Sequence, residues 1–233
     1  MTLQRVLEPE VMDTVEEAVD YNAMDHAAVN RLFVDDLLAV LSPDRVAVID
    51  GEAPFDGEVL DLGTGTALIP IELCCRDESF RVLGVDLAAN MLDIAKINID
   101  LAGLMQQIML DLVDAKTLPL EDERFAVVMS NSIIHHVPEP AAVLREAVRL
   151  TAPGGLLFFR DLLRPEDNDE VARLVETYTG EENDHARRMF EDSLRAALSL
   201  NEIRDSVQES GFDAQTVQAT SDRHWTWVAR KSQ

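Results

Sequence analysis

The sequence predicts an α/β protein built on a doubly wound, mostly parallel sheet. From Gly57 onward, short apolar runs alternate with amphipathic helical segments, which is the pattern of consecutive βαβ units. A parallel sheet of this kind needs helices on both faces. The chain has 233 residues, of which 47% are apolar, so it is long enough to enclose one large core.

The first 50 residues are predicted to be helical and to precede the sheet. Between Ala27 and Leu41 the apolar residues recur at the i, i+3, i+4 spacing of one helix face. Ser42-Pro43-Asp44 is expected to end this helix. The composition of Gly51–Gly57 is typical of a connecting loop. We therefore divide the chain into an N-terminal helical lid, 1–50, and a core, 51–233.

Five strands and their connecting helices follow, and a hairpin closes the sheet. The predicted strands are Val59–Leu62, Arg81–Val85, Ile108–Leu110, Phe125–Met129 and Gly155–Phe159. The predicted helices are Ala67–Cys75, Ala89–Ala102 and Pro140–Leu150, with further helical segments in Asp167–Glu209. Two alternating runs, Ala214–Ala219 and Trp225–Ala229, predict the hairpin at the sheet edge.

Composition excludes several classes of function. Twenty Lys and Arg residues against 44 Asp and Glu residues give a formal net charge of −24, which repels phosphate backbones and anionic lipid. No apolar run approaches the roughly 18 residues that span a bilayer, and acidic residues interrupt the start before a signal peptide could form. We expect a cytoplasmic protein with no nucleic-acid or membrane partner. Cys74 and Cys75 are expected to be buried, reduced thiols.

A glycine turn after the first strand predicts a ligand site. Gly63 and Gly65 follow Val59–Leu62 and precede a helix, so the backbone can turn tightly and approach a ligand closely. Asp86 ends the second strand 21 residues after Gly65. An acid at this distance accepts hydrogen bonds from ribose hydroxyls in nucleotide-binding βαβ units. The alternative is that Asp86 only caps the helix that begins near Ala89.

The ligand is not expected to be a dinucleotide. A dinucleotide fingerprint requires a third glycine, and Leu68 stands at that position. Asp61, two residues before the first glycine, suits a cationic amine better than a pyrophosphate. The pattern favours a nucleoside without phosphates.

These motifs resemble those of the class I S-adenosylmethionine-dependent methyltransferases, across roughly 57–231. The resemblance rests on five segments in order: Asp61-Leu-Gly63-Thr-Gly65-Thr, Val85-Asp86, Leu112-Val-Asp114-Ala115, Phe125–Asn131 with Ile134-His135-His136, and Ala152-Pro153-Gly154-Gly155. It implies a Rossmann-like sheet of seven strands in the order 3-2-1-4-5-7-6, with strand seven antiparallel. It also implies S-adenosylmethionine as methyl donor and no metal.

The resemblance assigns a role to each matched residue. Gly63, Thr64 and Gly65 would pack against the methionine portion, while Asp61 would assist its ammonium. Asp86 would hold the ribose and Leu87 would lie against adenine. The remaining contacts implied for the cofactor are Asp114 and Ala115 at the adenine edge, Ser130 or Asn131 through a backbone carbonyl, and Tyr21 from the lid.

Two histidines are the candidates for a general base. His135 and His136 follow strand four at the sheet edge where ligands bind, and histidine accepts protons near neutral pH. We prefer His135, and the alternative is a structural role for both rings. A metal site is not expected, because adjacent histidines rarely converge on one ion and no acidic partner motif accompanies them.

Other residues are candidates for selecting the acceptor or closing the site. Arg31 and Arg160 could contact the substrate, although an ion pair with a neighbouring acid is the alternative for Arg160. Residues 20–31 are expected to fold over the cofactor, because they mix aromatic, amide and charged groups. The predicted function is methyl transfer to a small-molecule acceptor. The alternatives are an enzyme that makes a modified S-adenosylmethionine and a non-catalytic binding module, and a homodimer also stays open.

Overall fold

The computed structural model describes residues 3–8, 11, 13–24, 26–41, 47–48, 51–52 and 55–233. The helices in these ranges are α1 (Val15–Ala23), α2 (Ala27–Leu41), α3 (Leu68–Arg76), α4 (Ala89–Leu101), α5 (Pro140–Leu150), α6 (Asn168–Thr179), α7 (Asp184–Ala196) and α8 (Leu200–Glu209). The strands of the main sheet are β1 (Val59–Leu62), β2 (Val82–Asp86), β3 (Ile108–Leu112), β4 (Phe125–Asn131), β5 (Thr151–Leu162), β6 (Val217–Ala219) and β7 (His224–Arg230).

The seven strands lie in the order β3-β2-β1-β4-β5-β7-β6. Neighbours from β3 to β5 pair in parallel, whereas β7 is antiparallel to both β5 and β6. This arrangement confirms the predicted order 3-2-1-4-5-7-6 and the antiparallel seventh strand. The carboxyl ends of the parallel strands therefore meet along one edge, where ligands bind in open α/β sheets.

Two apolar layers hold the helices against the sheet. Leu60 and Leu62 of β1 face a cluster that includes α5 and α8, whereas Val59 faces a cluster with α2, α3 and α4. Successive residues of a strand point to opposite faces, so a four-residue buried strand supplies both layers. The apolar face of α2 contributes Phe33 and Leu37, which confirms the helix predicted over Ala27–Leu41.

Several boundaries differ from the sequence prediction. The segment Ala214–Thr216, expected to be strand, is a short 3-10 helix, and β6 begins only at Val217. Gly51–Glu52, expected in a loop, pairs with Ala47–Val48 as a two-residue antiparallel ladder. The predicted helix stop at 42–44 and the domain boundary at residue 50 lie outside the described residues. Cys74 is buried as expected, but Cys75 is exposed, because adjacent helical residues point in different directions.

The N-terminal residues pack against segments that are distant in the sequence. Leu3 and Val6 donate backbone hydrogen bonds to Glu166 and Arg195, so residues 3–8 cross the α6–α7 pair. Further along, α1 packs on α4, where Asn90 donates to Asp13. In the part of the chain that the structure describes, no helix has the length and apolar character to cross a membrane.

Candidate active site

One cavity of about 570 Å³ lies at the carboxyl edge of the sheet. Its walls come from the glycine turn after β1, the ends of β2 and β4, residues of α1 and the start of α2, and the α6–α7 pair. This volume is within the range of small-molecule sites, roughly 300–1,000 Å³. The edge predicted from the sequence to bind a ligand is therefore a real concavity.

The glycine turn forms one wall, and its two glycines differ in surroundings. Gly63 and Gly65 have φ angles of +70° and +53°, which disfavour side chains. A Cβ added to Gly63 would stand 2.7 Å from the Ile133 side chain, so this position is closed by packing. A Cβ on Gly65 would reach only the Tyr21 ring, at 3.8 Å. The open approach to the turn is at Gly65.

Asp86 connects the end of β2 with this turn. One carboxylate oxygen, Oδ2, accepts from the Gly65 N–H at 2.8 Å, and Oδ1 accepts from the Ala88 N–H at 2.8 Å. Burial raises the pKa of Asp86, and these backbone donors oppose the rise. The second bond reaches only Ala88, the residue before α4, and α4 has no side-chain cap, so Asp86 does not cap this helix. Each oxygen keeps a second lone pair for a ligand, and Asp86 lines the cavity.

The residues expected at the adenine also line the cavity. Leu87 is exposed beside Asp86, and Asp114 and Ala115 follow β3. The Asp114 Oδ1 accepts from the Lys116 N–H at 2.9 Å, and its Oδ2 lies 3.1 Å from the Lys116 ammonium. The structure thus gathers the second and third motifs on one wall.

Three residues expected to contact the cofactor lie behind the wall instead. Asp61, Thr64 and Ser130 are buried and do not line the cavity. Thr64 packs on Gly84 of β2, whose added Cβ would stand 2.7 Å from its hydroxyl, and the Ser130 hydroxyl donates to the Leu62 carbonyl at 2.8 Å. Their side chains support the turn from within the sheet, and contact of these residues with the cofactor stays a prediction.

Asn131, the alternative to Ser130, does line the cavity. Its Oδ1 is buried and has no hydrogen-bond partner among the described residues. A buried acceptor without a donor costs roughly 1–3 kcal/mol. A ligand with N–H donors, such as an ammonium, would satisfy this oxygen, so the site fits the polar end of S-adenosylmethionine.

The histidine pair stands at the other end of the cavity. His135 is only 3% exposed, and its Nδ1 lies 2.5 Å from Asp161 Oδ1. Asp161 also accepts from the Ile134 and Leu162 N–H groups. Burial favours a high pKa for Asp161, but the charge of His135 and these donors outweigh it and lower the pKa. Asp161 is therefore an ionised group that fixes the His135 ring.

The pKa values of the two rings shift in opposite directions. Burial alone would lower the pKa of His135, but Asp161 and Glu8 together raise it. Burial lowers the pKa of His136 to about 3, so that ring is neutral near pH 7. Both rings line the cavity, and their centroids are 4.1 Å apart. The candidate base and its neighbour therefore lie where the sequence places them.

Neither arginine expected to contact the substrate lines the cavity. The Arg160 guanidinium donates to Asp36 at 2.6 Å and to Thr226 at 3.0 Å, and Arg160 is 6% exposed. This arrangement is the ion pair that the sequence left as the alternative, and it ties α2 to β5 and β7. Arg31 is exposed on α2. Neither side chain is among those that line the cavity, and substrate contact by either residue stays a prediction.

Several residues of the segment expected to form the lid line the cavity. Tyr21, Met24, His26 and Asn30 line the cavity, while Asp25 lies outside the described residues. The Tyr21 and His26 ring centroids are 4.6 Å apart, and the His26 Nε2 lies 3.0 Å from the Tyr21 carbonyl.

Asn22 connects this segment to the core. Its side-chain oxygen accepts from the Asn98 Nδ2, which also donates to the Thr66 carbonyl. The amide of Asn22 therefore touches α4 rather than the cavity.

Sequence reasoning missed the opposite wall. Tyr178, Met189 and Phe190 of α6 and α7 line the cavity, together with His224 at the start of β7. Isolated aromatic residues in an otherwise charged segment are the one signal that could have pointed to this wall. Glu8 lies close to the histidine pair, and no sequence signal marks it.

Comparison with known proteins identifies the matched region. Residues 60–159 match the family profile described as a methyltransferase domain. The chain is 32% identical over 126 residues to the ubiquinone biosynthesis O-methyltransferase of Neisseria meningitidis, covering 51% of this chain and 50% of that protein. It is 27% identical over 177 residues to the 27-O-demethylrifamycin SV methyltransferase of Amycolatopsis mediterranei, covering 74% of this chain and 61% of that protein.

A third relative is the methyltransferase GfsG of Streptomyces halstedii, 31% identical over 118 residues, covering 51% of this chain and 42% of that protein. The chain spans about half the length of the curated relatives it matches. Their own substrates are therefore no guide to this cavity without further argument.

Solved structures share the fold. A structure assigned as an S-adenosyl-L-methionine-dependent methyltransferase of Methanococcus maripaludis has a TM-score of 0.72 at 16% identity, covering 98% of both chains. The [4+2]-cyclase SpnF has a TM-score of 0.60 at 18% identity, again over 98% of both chains. One fold thus carries proteins that are assigned different reactions, and the site must decide the reaction.

Residues 60–159 therefore form a methyltransferase domain, and the fold around it is the one seen in S-adenosylmethionine-dependent methyltransferase structures. These findings support the class I S-adenosylmethionine-dependent methyltransferases as the class of this domain.

Proposed function

We propose that this protein transfers the methyl group of S-adenosylmethionine to a hydroxyl oxygen of a small, partly apolar acceptor. One observation carries the proposal: a single cavity of about 570 Å³ joins the motif residues to a fixed histidine pair and an apolar wall. The O-methyltransferases among its relatives support an oxygen acceptor.

The cofactor end is the wall of Gly65, Asp86, Asp114 and Ala115. Asp86 accepts from the ribose hydroxyls with the lone pairs that the backbone leaves free. Asp114 and Ala115 hold the adenine edge, and Asn131 Oδ1 accepts from the ammonium. Tyr21 covers the donor from the side of the lid.

The acceptor end lies between the histidine pair and α6–α7. Tyr178, Met189 and Phe190 supply an apolar surface, which favours an aromatic or aliphatic acceptor body. The Arg223 guanidinium stacks on the Tyr178 ring at 3.3 Å from its centroid, and this contact fixes the ring. With a formal charge of −24, the chain disfavours a nucleic-acid acceptor.

The residues contribute alignment and proton removal. When bound, S-adenosylmethionine supplies an already activated methyl group on a sulfonium. The lid and α6–α7 exclude water, and the cavity walls align the acceptor oxygen with that methyl group. The histidine pair promotes loss of the acceptor proton, since Asp161 fixes His135 and His136 stays neutral. Proton transfer assisted by a positioned group accelerates reactions by roughly 10²–10⁴-fold.

The test is transfer of a labelled methyl group. The protein is incubated with methyl-labelled S-adenosylmethionine and hydroxylated aromatic compounds, and S-adenosylhomocysteine and labelled products are measured by mass spectrometry. Label in the small-molecule fraction, and a kcat about 100-fold lower in His135→Gln, support the proposal. The control is His185→Gln, which removes a ring that pairs with Asp20 and does not line the cavity. Label found only in added RNA or protein would contradict the proposal.

A further inference from the structure

Three potential metal ligands converge beside the acceptor end. Glu8 Oε1 lies 3.1 Å from His136 Nδ1 and 3.5 Å from His135 Nε2. Each of the three residues has one ligand atom that lies within 4.8 Å of a ligand atom of the other two. A glutamate and two histidines form a donor set that catalytic zinc and other divalent transition metals use.

Two of these atoms lack hydrogen bonds although they are buried. Glu8 Oε1 and His136 Nδ1 approach each other closely, yet neither has a hydrogen-bond partner in the described part of the chain. A buried carboxylate oxygen without a donor is costly, as is a buried imidazole nitrogen. A cation between them would satisfy both atoms at once.

The separations fit a shared ion. Metal–ligand distances of about 2.0–2.2 Å place neighbouring ligand atoms roughly 3.0 Å apart in octahedral geometry and roughly 3.4 Å apart in tetrahedral geometry. The two separations that involve Glu8 Oε1, 3.1 Å and 3.5 Å, lie at these values. Glu8 therefore stands at a distance from each ring that suits a shared ion.

The surroundings orient the ligands. Asp161 engages Nδ1 of His135 and leaves Nε2 for an ion, which is the carboxylate–histidine arrangement found around bound metals. Glu8 is held near the rings because Arg5 donates to the backbone carbonyls of His135, Val137 and Ala196. Arg5 is cationic, and the carboxylates of Glu8 and Asp161 offset its charge.

We propose that Glu8, His135 and His136 bind one divalent transition-metal ion with an open coordination position toward the acceptor. This inference rests on the proposed function and specifies how the histidine pair promotes proton loss. Held by Glu8, His135 and His136, the ion would supply a Lewis acid that lowers the pKa of an acceptor hydroxyl at its open position, and the O–H proton would leave to solvent. The oxygen lone pair then forms the new O–CH₃ bond while the S–CH₃ bond breaks and its electron pair stays on sulfur.

The proposal replaces the sequence expectation of no metal. That expectation rested on two grounds: adjacent histidines rarely converge on one ion, and no acidic partner motif accompanies these two. The partner exists, but it comes from the N-terminal segment, far away in the chain.

Metal binding is tested separately from cofactor binding. Chelator-treated protein is titrated with zinc chloride in a calorimeter, and bound zinc is counted after dialysis. We expect one zinc per wild-type chain, at least 100-fold weaker binding in Glu8→Gln and His136→Gln, and unchanged binding in His185→Gln. Unchanged affinity in Glu8→Gln, or binding at less than one zinc per chain, would overturn the proposal.

A measurement on the wild type guards against misfolded variants. Anomalous scattering at the zinc edge from crystals of wild-type protein should locate the ion between Glu8, His135 and His136. An ion only at Cys75 or at exposed acids would overturn the site. S-adenosylhomocysteine affinity is measured on the same samples, so zinc binding without cofactor binding would contradict the proposed function and leave the metal site standing.

Discussion

Asp86 accepts a hydrogen bond from the Gly65 N–H at 2.8 Å, which joins the acid that ends β2 to the glycine turn after β1. The bond fixes the carboxylate beside the one open glycine of the turn. Two motifs separated in sequence thus form a single binding surface, and the first two predictions concern this surface.

Replacing Asp86 by Ala should weaken S-adenosylhomocysteine binding at least about 100-fold. The change removes the acceptor for two ribose hydroxyls, each bond to a charged group contributing roughly 1.5–3 kcal/mol. Calorimetry measures the affinity, and Asp86→Asn repeats the test with the side-chain shape retained. The matched control is Asp93→Ala, which removes an exposed acid of α4 that pairs with Lys96. Equal affinity of wild type and both Asp86 variants would rule out the ribose contact.

The two glycines of the turn should respond differently to Ala. Gly63→Ala should lower the free energy of unfolding by about 2–4 kcal/mol, because its Cβ meets Ile133 and its φ is positive. Gly65→Ala should cost about 1–2 kcal/mol from φ alone, while ligand affinity per folded molecule drops at least tenfold. Urea unfolding and calorimetry separate these effects.

The chain offers a control for the backbone strain at Gly65. Gly103 has a φ of +72°, and an added Cβ there would meet nothing within 4 Å. Gly103→Ala should therefore lower stability about as much as Gly65→Ala and leave the affinity intact. If Gly65→Ala also binds S-adenosylhomocysteine normally, the ligand does not approach the turn at this glycine.

Asp61 should make stability depend on pH. Burial raises its pKa from 3.8 to about 7, so the folded state keeps a proton that the unfolded state releases. The free energy of unfolding therefore falls as pH rises from about 4 to about 7 and then levels off. Asp61→Asn removes this contribution. The free energy of unfolding of the variant, minus that of wild type, should therefore be about 2 kcal/mol larger at pH 8 than at pH 5. Urea unfolding measures both proteins at pH 5 and pH 8. If the difference between their unfolding free energies is the same at both pH values, Asp61 is not buried in protonated form.

The segment 20–31 should close over the ligand. Tyr21 lies against the open side of Gly65, and the product must leave, so this cover has to open during turnover. Amide exchange in α1 and at the start of α2 should slow when S-adenosylhomocysteine is added. Exchange of β7 serves as the internal control. Identical exchange of α1 with and without ligand would assign the segment a packing role alone.

Local patterns were sufficient to predict the sheet. Phe125–Met129 is a buried strand because its continuous apolar residues feed both layers of the core, and Val59–Leu62 does the same with one acid, Asp61, among its apolar residues. The position of Asp86 also followed from the sequence, since a parallel strand must deliver its last residue to the carboxyl edge.

Long-range placement could not be predicted from those patterns. Arg160 ends up beside Asp36 because α2 packs over β5, and no local signal identifies that neighbour. Glu8 reaches the histidines only because residues 3–8 cross α7, an arrangement fixed by backbone hydrogen bonds to distant segments. Thr64 and Ser130 adjoin the cavity wall in sequence but are buried: alternation along β4 turns Ser130 inward, and Thr64, in the glycine turn, packs on Gly84 of β2.

The central claim is that the cavity holds the methyl donor at the glycine turn with its reactive end toward the histidine pair. A crystal structure of the protein with S-adenosylhomocysteine tests this claim most directly. We predict the ribose hydroxyls within 3.2 Å of Asp86, a limit set by ordinary hydrogen-bond lengths of roughly 2.7–3.2 Å, and the sulfur directed toward His135 and His136. A ligand bound outside the cavity, or one with its sulfur turned away from both histidines, would contradict the account.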